Sequence, residues 1–139
     1  MRIEVIKTRK LKPPKDDLLE ATRESIKDIP ERSIVVVTSK VVAISQGRCI
    51  KIIQNSKFKI QNYRDRLARQ EADWYVDRME SGGTEWMFTV KNNTLIASAG
   101  IDKSNANGYF VLWPEKLEET ARELHKFFKD TYKLKEVGV

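Results

Sequence analysis

Four consecutive β-branched residues, Ile34-Val35-Val36-Val37, stand between Ser33 and the polar trio Thr38-Ser39-Lys40. β-branched side chains are stiff at χ1 and favour extended backbone. A run of them with no polar residue at alternate positions is the pattern of a strand covered on both faces. Such a strand constrains the rest of the chain, which must supply cover for both faces. SIVVVTSK is therefore expected as the central strand of an α/β (α+β) fold, a mixed sheet with about three principal helices. At 139 residues and 40% hydrophobic composition, one domain is expected.

The remaining pattern supplies the other elements. RIEVIKT alternates Ile3 and Val5 with charged neighbours and predicts a half-exposed strand. Pro13 and Pro14 break it, and Asp16 and Asp17 place negative charge at the start of a helix over DDLLEATRESIKDI that ends before Pro30. VVAISQGRC either prolongs the central strand or forms a short helix stopped at Gly47, and CIKIIQN is extended again. Ile60, Tyr63, Leu67, Glu71 and Trp74 recur at helical spacing, predicting a helix over residues 57–78 closed by Ser81-Gly82-Gly83, with Glu71 an acidic exception on its apolar side. TEWMFTVKNNTLIASAG reads as two strands around Asn92-Asn93, a pair suited to the positive φ of a hairpin turn. YFVLWP is a strand ended by Pro114, and Leu117, Ala121, Leu124, Phe128 and Tyr132 mark a final amphipathic helix. KLKEVGV then starts a strand and stops. Either a larger domain continues from it, or Val137 to Val139 complete a sheet edge.

Composition excludes several classes of function. The net charge of +6 is spread over the whole length, a weak pointer to anionic partners, and nucleic acid is the less expected of these. The lone Cys49 excludes an internal disulfide or a thiolate metal cluster, and a reducing cytoplasm is the default setting. No window is apolar enough for a membrane span. No glycine opens a Walker loop and no G-x-G-x-x-G is present. His125 cannot build a zinc site alone and is assigned to packing beside the last helix's apolar stripe. No catalytic side chain is identified.

Two segments have both a structural and a chemical reading. Thr38-Ser39-Lys40, at the carboxyl end of a buried strand, either surfaces into solvent or offers a hydroxyl and an ammonium to phosphate oxygens. In AGIDKSNANG, residues 99–108, Asn107-Gly108 suits a tight turn, and Asp102, Ser104 and Asn105 can bond neighbouring backbone. The same small residues would let backbone N–H groups approach a phosphate, with Asp102 a hard oxygen ligand for Mg²⁺ or Mn²⁺.

VVVTSKVVAISQGR, followed by LIASAGIDKSNANGYFVLWP, with RIEVIKT and PPKDDL ahead of them, resembles the N-terminal part of the coenzyme F-420:L-glutamate ligase family, the gamma-glutamyl ligases. AGID-x-SN is the most specific element. The resemblance implies GTP-dependent amide formation between a carboxylate acceptor, a deazaflavin cofactor precursor, and the amine of L-glutamate, with Mg²⁺ or Mn²⁺. It places Asp102 on the family's metal-binding aspartate and Asn105 on a guanine-nucleotide contact. Ser39 and Lys40 fall on nucleotide-contacting positions, and Leu11 and Pro13 lie near another.

There are two departures from the family pattern. Ile44 stands where family members usually carry a phosphate-facing lysine. The family also continues past the equivalent of EVGV into an Ile-Thr-Asp element with further metal ligands and a substantial C-terminal portion. The resemblance thus implies an N-terminal segment of a larger ligase fold, or a shortened relative, inactive alone, exposing an apolar surface and forming a homodimer at full length. The alternatives are a non-catalytic module of the same fold that binds a phosphate-bearing or nucleic-acid partner through its basic surface, and a ligase with another acceptor.

Overall fold

The computed structural model describes residues 2–53, 56–78, 80, 82 and 85–139. In chain order they form α1 (Leu18–Ser25), β1 (Ser33–Ile34), α2 (Ser39–Ser45), β2 (Cys49–Lys51), α3 (Lys57–Glu71), β3 (Trp74–Val76), β4 (Phe88–Lys91), β5 (Thr94–Ala97), a 3-10 turn (Ser98–Gly100), β6 (Tyr109–Val111), α4 (Leu117–Tyr132) and β7 (Val137–Gly138). The architecture is α+β, as the sequence predicts, with helices beside small sheets of parallel and antiparallel pairs. The chain divides into two compact units, Met1–Gly47 with Pro114–Val139, and Arg48–Trp113. No helix of the described residues is long and apolar enough to cross a membrane.

The first unit is organised by α4. Its spacing brings Leu124, Phe127 and Phe128 to one side, where they pack with Leu18, Ile26, Ile29, Val42 and Leu134. Each such side chain contributes about 1.5–3 kcal/mol on burial. Phe127 meets Phe128 edge-on at 5.4 Å, and the Tyr132 hydroxyl donates to the Ile26 carbonyl at 3.0 Å. α1 starts at Asp17, whose carboxylate accepts the Glu20 N–H at 2.9 Å, an N-cap bond.

Two expectations fail in this unit. The IVVV run is not a two-sided central strand. Only Ser33–Ile34 forms strand, paired in parallel with Val137–Gly138, and the Val35 N–H adds one more bond to Gly138 O at 2.8 Å. Val35 and Val37 pack on the first core while Ile34 and Val36 face solvent, so the run is covered on one side only. Composition alone cannot distinguish that from burial on both faces, because β-branched residues suit extended backbone in either setting. Residues 2–8, expected as a strand, lie outside any ladder, with Ile3 and Val5 exposed. Val137 and Gly138 form β7 beside β1.

In the second unit, β3, β4 and β5 form an antiparallel sheet. Asn92 (φ 49°) and Asn93 (φ 58°) make the predicted hairpin turn between β4 and β5. β2 pairs antiparallel with β6. Phe110, Met87 and Ala99 are fully buried, with Leu67, Ala68, Ile101 and Leu112 around them. The helix predicted over 57–78 ends at Glu71. Trp74, counted on its apolar stripe, lies instead in β3 opposite Val90, and the Asp73 N–H donates to Val90 O at 2.9 Å. The ladder to β4 thus supplies backbone partners that compete with another helical turn. Of the expected Ser81-Gly82-Gly83 stop, Ser81 and Gly83 lie outside the described residues.

Candidate functional site

The chain leaves β5 through three successive residues of left-handed backbone, Ser98 (φ 47°), Ala99 (φ 53°) and Gly100 (φ 71°). Buried bonds hold them there. The Ser98 N–H donates to Met87 O at 2.8 Å, the Ala99 N–H donates to Thr89 Oγ1 at 2.7 Å, and the Thr89 hydroxyl donates onward to the Ile96 carbonyl. A Cβ on Gly100 would lie 2.4 Å from Trp113 Cε3 and 3.0 Å from Ile96 Cδ1. The small residues of Ala99-Gly100 therefore have a packing reason, since an indole lies against the backbone.

Asp102 comes next and is anchored twice. Its backbone exchanges both hydrogen bonds with Val111, at 2.9 and 2.8 Å. Its carboxylate accepts the Ser104 N–H at 2.7 Å and the Ser104 hydroxyl at 2.7 and 2.9 Å. That is an Asx-type turn, and it fixes where the partly exposed carboxylate stands. Asn105 (φ 56°) is exposed, Ala106 is buried, and Asn107 (φ 48°) with Gly108 (φ 84°) closes a turn in which the Tyr109 N–H donates to Ala106 O at 3.0 Å. The structural reading of AGIDKSNANG therefore accounts for nearly every residue in it.

The other expected site residues belong to the first unit. Ser39 and Lys40 are the first residues of α2, both half-buried, and Thr38 caps the helix without a side-chain hydrogen bond. Ile44, on the same helix, is buried, so this position carries no cation where the family pattern has a lysine. Leu11 packs half-buried on the first core. Pro13 begins a cis Pro13-Pro14 turn. A clamp unforeseen from the sequence shapes this turn. Asp16 accepts the Lys12 N–H at 2.7 Å, the Asp17 N–H at 2.8 Å and the Arg9 guanidinium at 2.8 Å, while Arg9 also donates to Glu24 at 2.8 Å. The Arg9 guanidinium first, and the Lys12 N–H second, hold the Asp16 carboxyl well below the usual carboxylate range.

The sequence also left Glu71 unexplained. It accepts Arg48 Nη2 at 2.5 Å and Lys91 Nζ at 2.7 Å, all three side chains mostly buried, which joins α3 to the chain before β2 and to β4. Asp65, also buried, accepts Arg78 Nε at 2.7 Å and Gln61 Nε2 at 2.8 Å. The interrupted apolar stripe was the only sequence signal for the first network. Both networks are structural, because buried charges need partners. His125, assigned to packing, is exposed on α4, since the buried side runs through Leu124, Phe127 and Phe128 and leaves residue 125 outside it. The Cys49 thiol is pushed up by burial, the opposite of an activated thiolate.

Among the described residues, no three His, Cys, Asp or Glu side chains gather as a metal site. Asp102 suits Mg²⁺ or Mn²⁺ by ligand type, but a single carboxylate does not hold a divalent ion by itself. Two open concavities in the first unit, of about 400 and 550 Å³, are not lined by Leu11, Pro13, Ser39 or Lys40. A family model described as F420-0:Gamma-glutamyl ligase matches residues 5–139. No curated protein matches the chain.

Proposed function

The chain belongs to the F420-0:gamma-glutamyl ligase family, and from that premise we propose that it serves GTP-dependent joining of L-glutamate to a carboxylate of the cofactor precursor. The match over residues 5–139 is the observation that carries this reading. Condensing a carboxylate with an amine in water is uphill. The acceptor carboxylate therefore attacks the γ-phosphorus of GTP, GDP leaves, and an acyl phosphate forms. The glutamate nitrogen then attacks the acyl carbon, inorganic phosphate leaves, and the nitrogen gives up its proton.

The chain's own residues bind and orient. In the first unit, Lys40 and Ser39 donate to phosphate oxygens and Leu11 and Pro13 contribute apolar surface to the nucleotide; in the second unit, Asn105 contacts the guanine nucleotide. Asp102 is one ligand of Mg²⁺ or Mn²⁺, an ion that neutralises phosphate charge when bound. With Ile44 buried, Lys40 carries more of the phosphate recognition.

Calorimetric titration of GTP, with Mn²⁺ present, into wild type and Lys40→Ala tests the reading. Saturable binding by wild type is expected, weakened about ten- to a hundredfold in the variant, the range of one charge-assisted contact. A folded wild type that does not bind GTP would sink the proposal.

A further inference from the structure

α4 turns Leu124, Phe127 and Phe128 to the first core. At about 100° per residue, Arg122, Lys126 and Lys129 fall within about 60° of one another on the opposite side, and Lys133, the C-cap, follows four residues on. All four are exposed. Successive members are three or four residues apart, so each stands beside a like charge, an arrangement that disfavours a helix. The negative C-terminal end of the helix accounts for Lys129 and Lys133, but not for Arg122 and Lys126 further in. Among the described residues Arg122 has a carboxylate partner, Glu118 at 2.8 Å, and Lys126, Lys129 and Lys133 have none. Packing and pairing within the fold thus give no reason for the row.

Charge and shape select among anionic partners. The row is narrow, with Glu118 to one side of it and Glu119, Glu123 and Asp130 to the other, all exposed. A lipid surface would press those carboxylates against its own negative charge, and the face has no apolar residue to enter the headgroup layer. An acidic protein would bind through exposed ion pairs without an apolar anchor, and such pairs contribute little. A phosphodiester backbone needs neither breadth nor an anchor, because counterions released from the polyanion drive its binding. One stacked strand carries a charge per roughly 3.4 Å, so the roughly 16 Å from residue 122 to 133 spans about five phosphates. A duplex would bring its second strand toward the flanking carboxylates.

We infer that this face of α4 binds the backbone of single-stranded RNA, and does so without reading its bases, since the row holds no aromatic residue for stacking. The inference does not depend on the ligase reading, because it uses none of Leu11, Pro13, Ser39, Lys40, Asp102 or Asn105.

Fluorescence anisotropy of a labelled oligouridylate of about 15 nucleotides, titrated with the 139-residue chain from about 50 to 200 mM salt, tests it. The disrupting variant is Lys126→Gln/Lys129→Gln/Lys133→Gln, and the control, Lys7→Gln/Lys51→Gln/Lys59→Gln, removes the same charge from exposed positions off α4. For wild type and control, log K should fall with log salt at a slope of about −2 to −3, the value for four phosphate contacts on a single strand. The disrupting variant should bind at least about tenfold more weakly at the lowest salt, with the slope reduced by about 2. Photocrosslinks from 4-thiouridine in the wild-type complex, which need no variant, should map to residues 122–133. A wild type that does not bind overturns the inference, as do equal losses in the two variants or crosslinks confined to other segments. So do displacement of the oligonucleotide by GTP, and a wild type that binds phosphatidylserine vesicles in preference to it.

Discussion

Thr38-Ser39-Lys40 and the Ser98 to Gly108 segment both place short polar residues after an apolar run, and they fold by different means. The first opens α2, with Thr38 capping the helix without a side-chain bond. The second bonds to itself and to its surroundings, through Ala99 N–H to Thr89, Asp102 to Ser104, and Tyr109 N–H to Ala106. Each has a glycine at positive φ nearby, and the two glycines differ in kind. Gly47 (φ 72°) would set a Cβ against flexible Lys15 carbons at 3.6 Å, whereas Gly100 would drive one into an indole at 2.4 Å. The lesson is that a small residue in a turn is required by the backbone in one place and by the packing in the other.

The largest expected effect separates those two cases. Gly100→Ala adds overpacking to left-handed strain and should cost about 2–4 kcal/mol, while Gly47→Ala carries the strain alone, about 1 kcal/mol. Urea unfolding midpoints at equal m-value measure both. Equal losses would remove the distinction.

A smaller effect concerns acid. The folded Asp16 carboxyl lies below the unfolded value of about 3.9, chiefly through Arg9, so its stabilisation is complete above that pH and is lost as pH falls through the folded value. Glu31, lowered by the Glu136 and Lys135 N–H groups, acts in the same direction. Amide protection in residues 9–25 should fall below about pH 4, and Asp16→Asn, already lacking the charge, should show a shallower fall. Identical pH profiles would mean that Arg9 and Asp16 do not fasten the Pro13-Pro14 turn.

Local rules made much of the fold legible. Asn92-Asn93, Asn107-Gly108, the Gly47 stop and the α4 stripe each follow from a few neighbouring residues, and each is found in place. What failed depended on distant partners. The IVVV run gave no sign that only one side would be covered, and residues 73–76 could not reveal that β4 would offer them a ladder. Nor could Glu71 name Arg48 and Lys91, which lie 23 and 20 positions away. At the candidate site, the turn chemistry of Asp102 was readable because Ser104 is two residues on. The packing reason for Gly100 was not, since Trp113 is thirteen residues away in the sequence.

The smallest expected change in stability belongs to the most direct test. Asp102→Asn keeps an oxygen to accept the Ser104 N–H and removes the charge that a divalent ion needs. Titration of GTP with Mn²⁺ into wild type and variant, beside their melting curves, measures both properties. Nucleotide affinity should fall by about ten- to a hundredfold, or about 1.5–3 kcal/mol, with Tm shifted by no more than about 2 °C. Equal affinities in two folded proteins would contradict it and leave Asp102 a turn residue only.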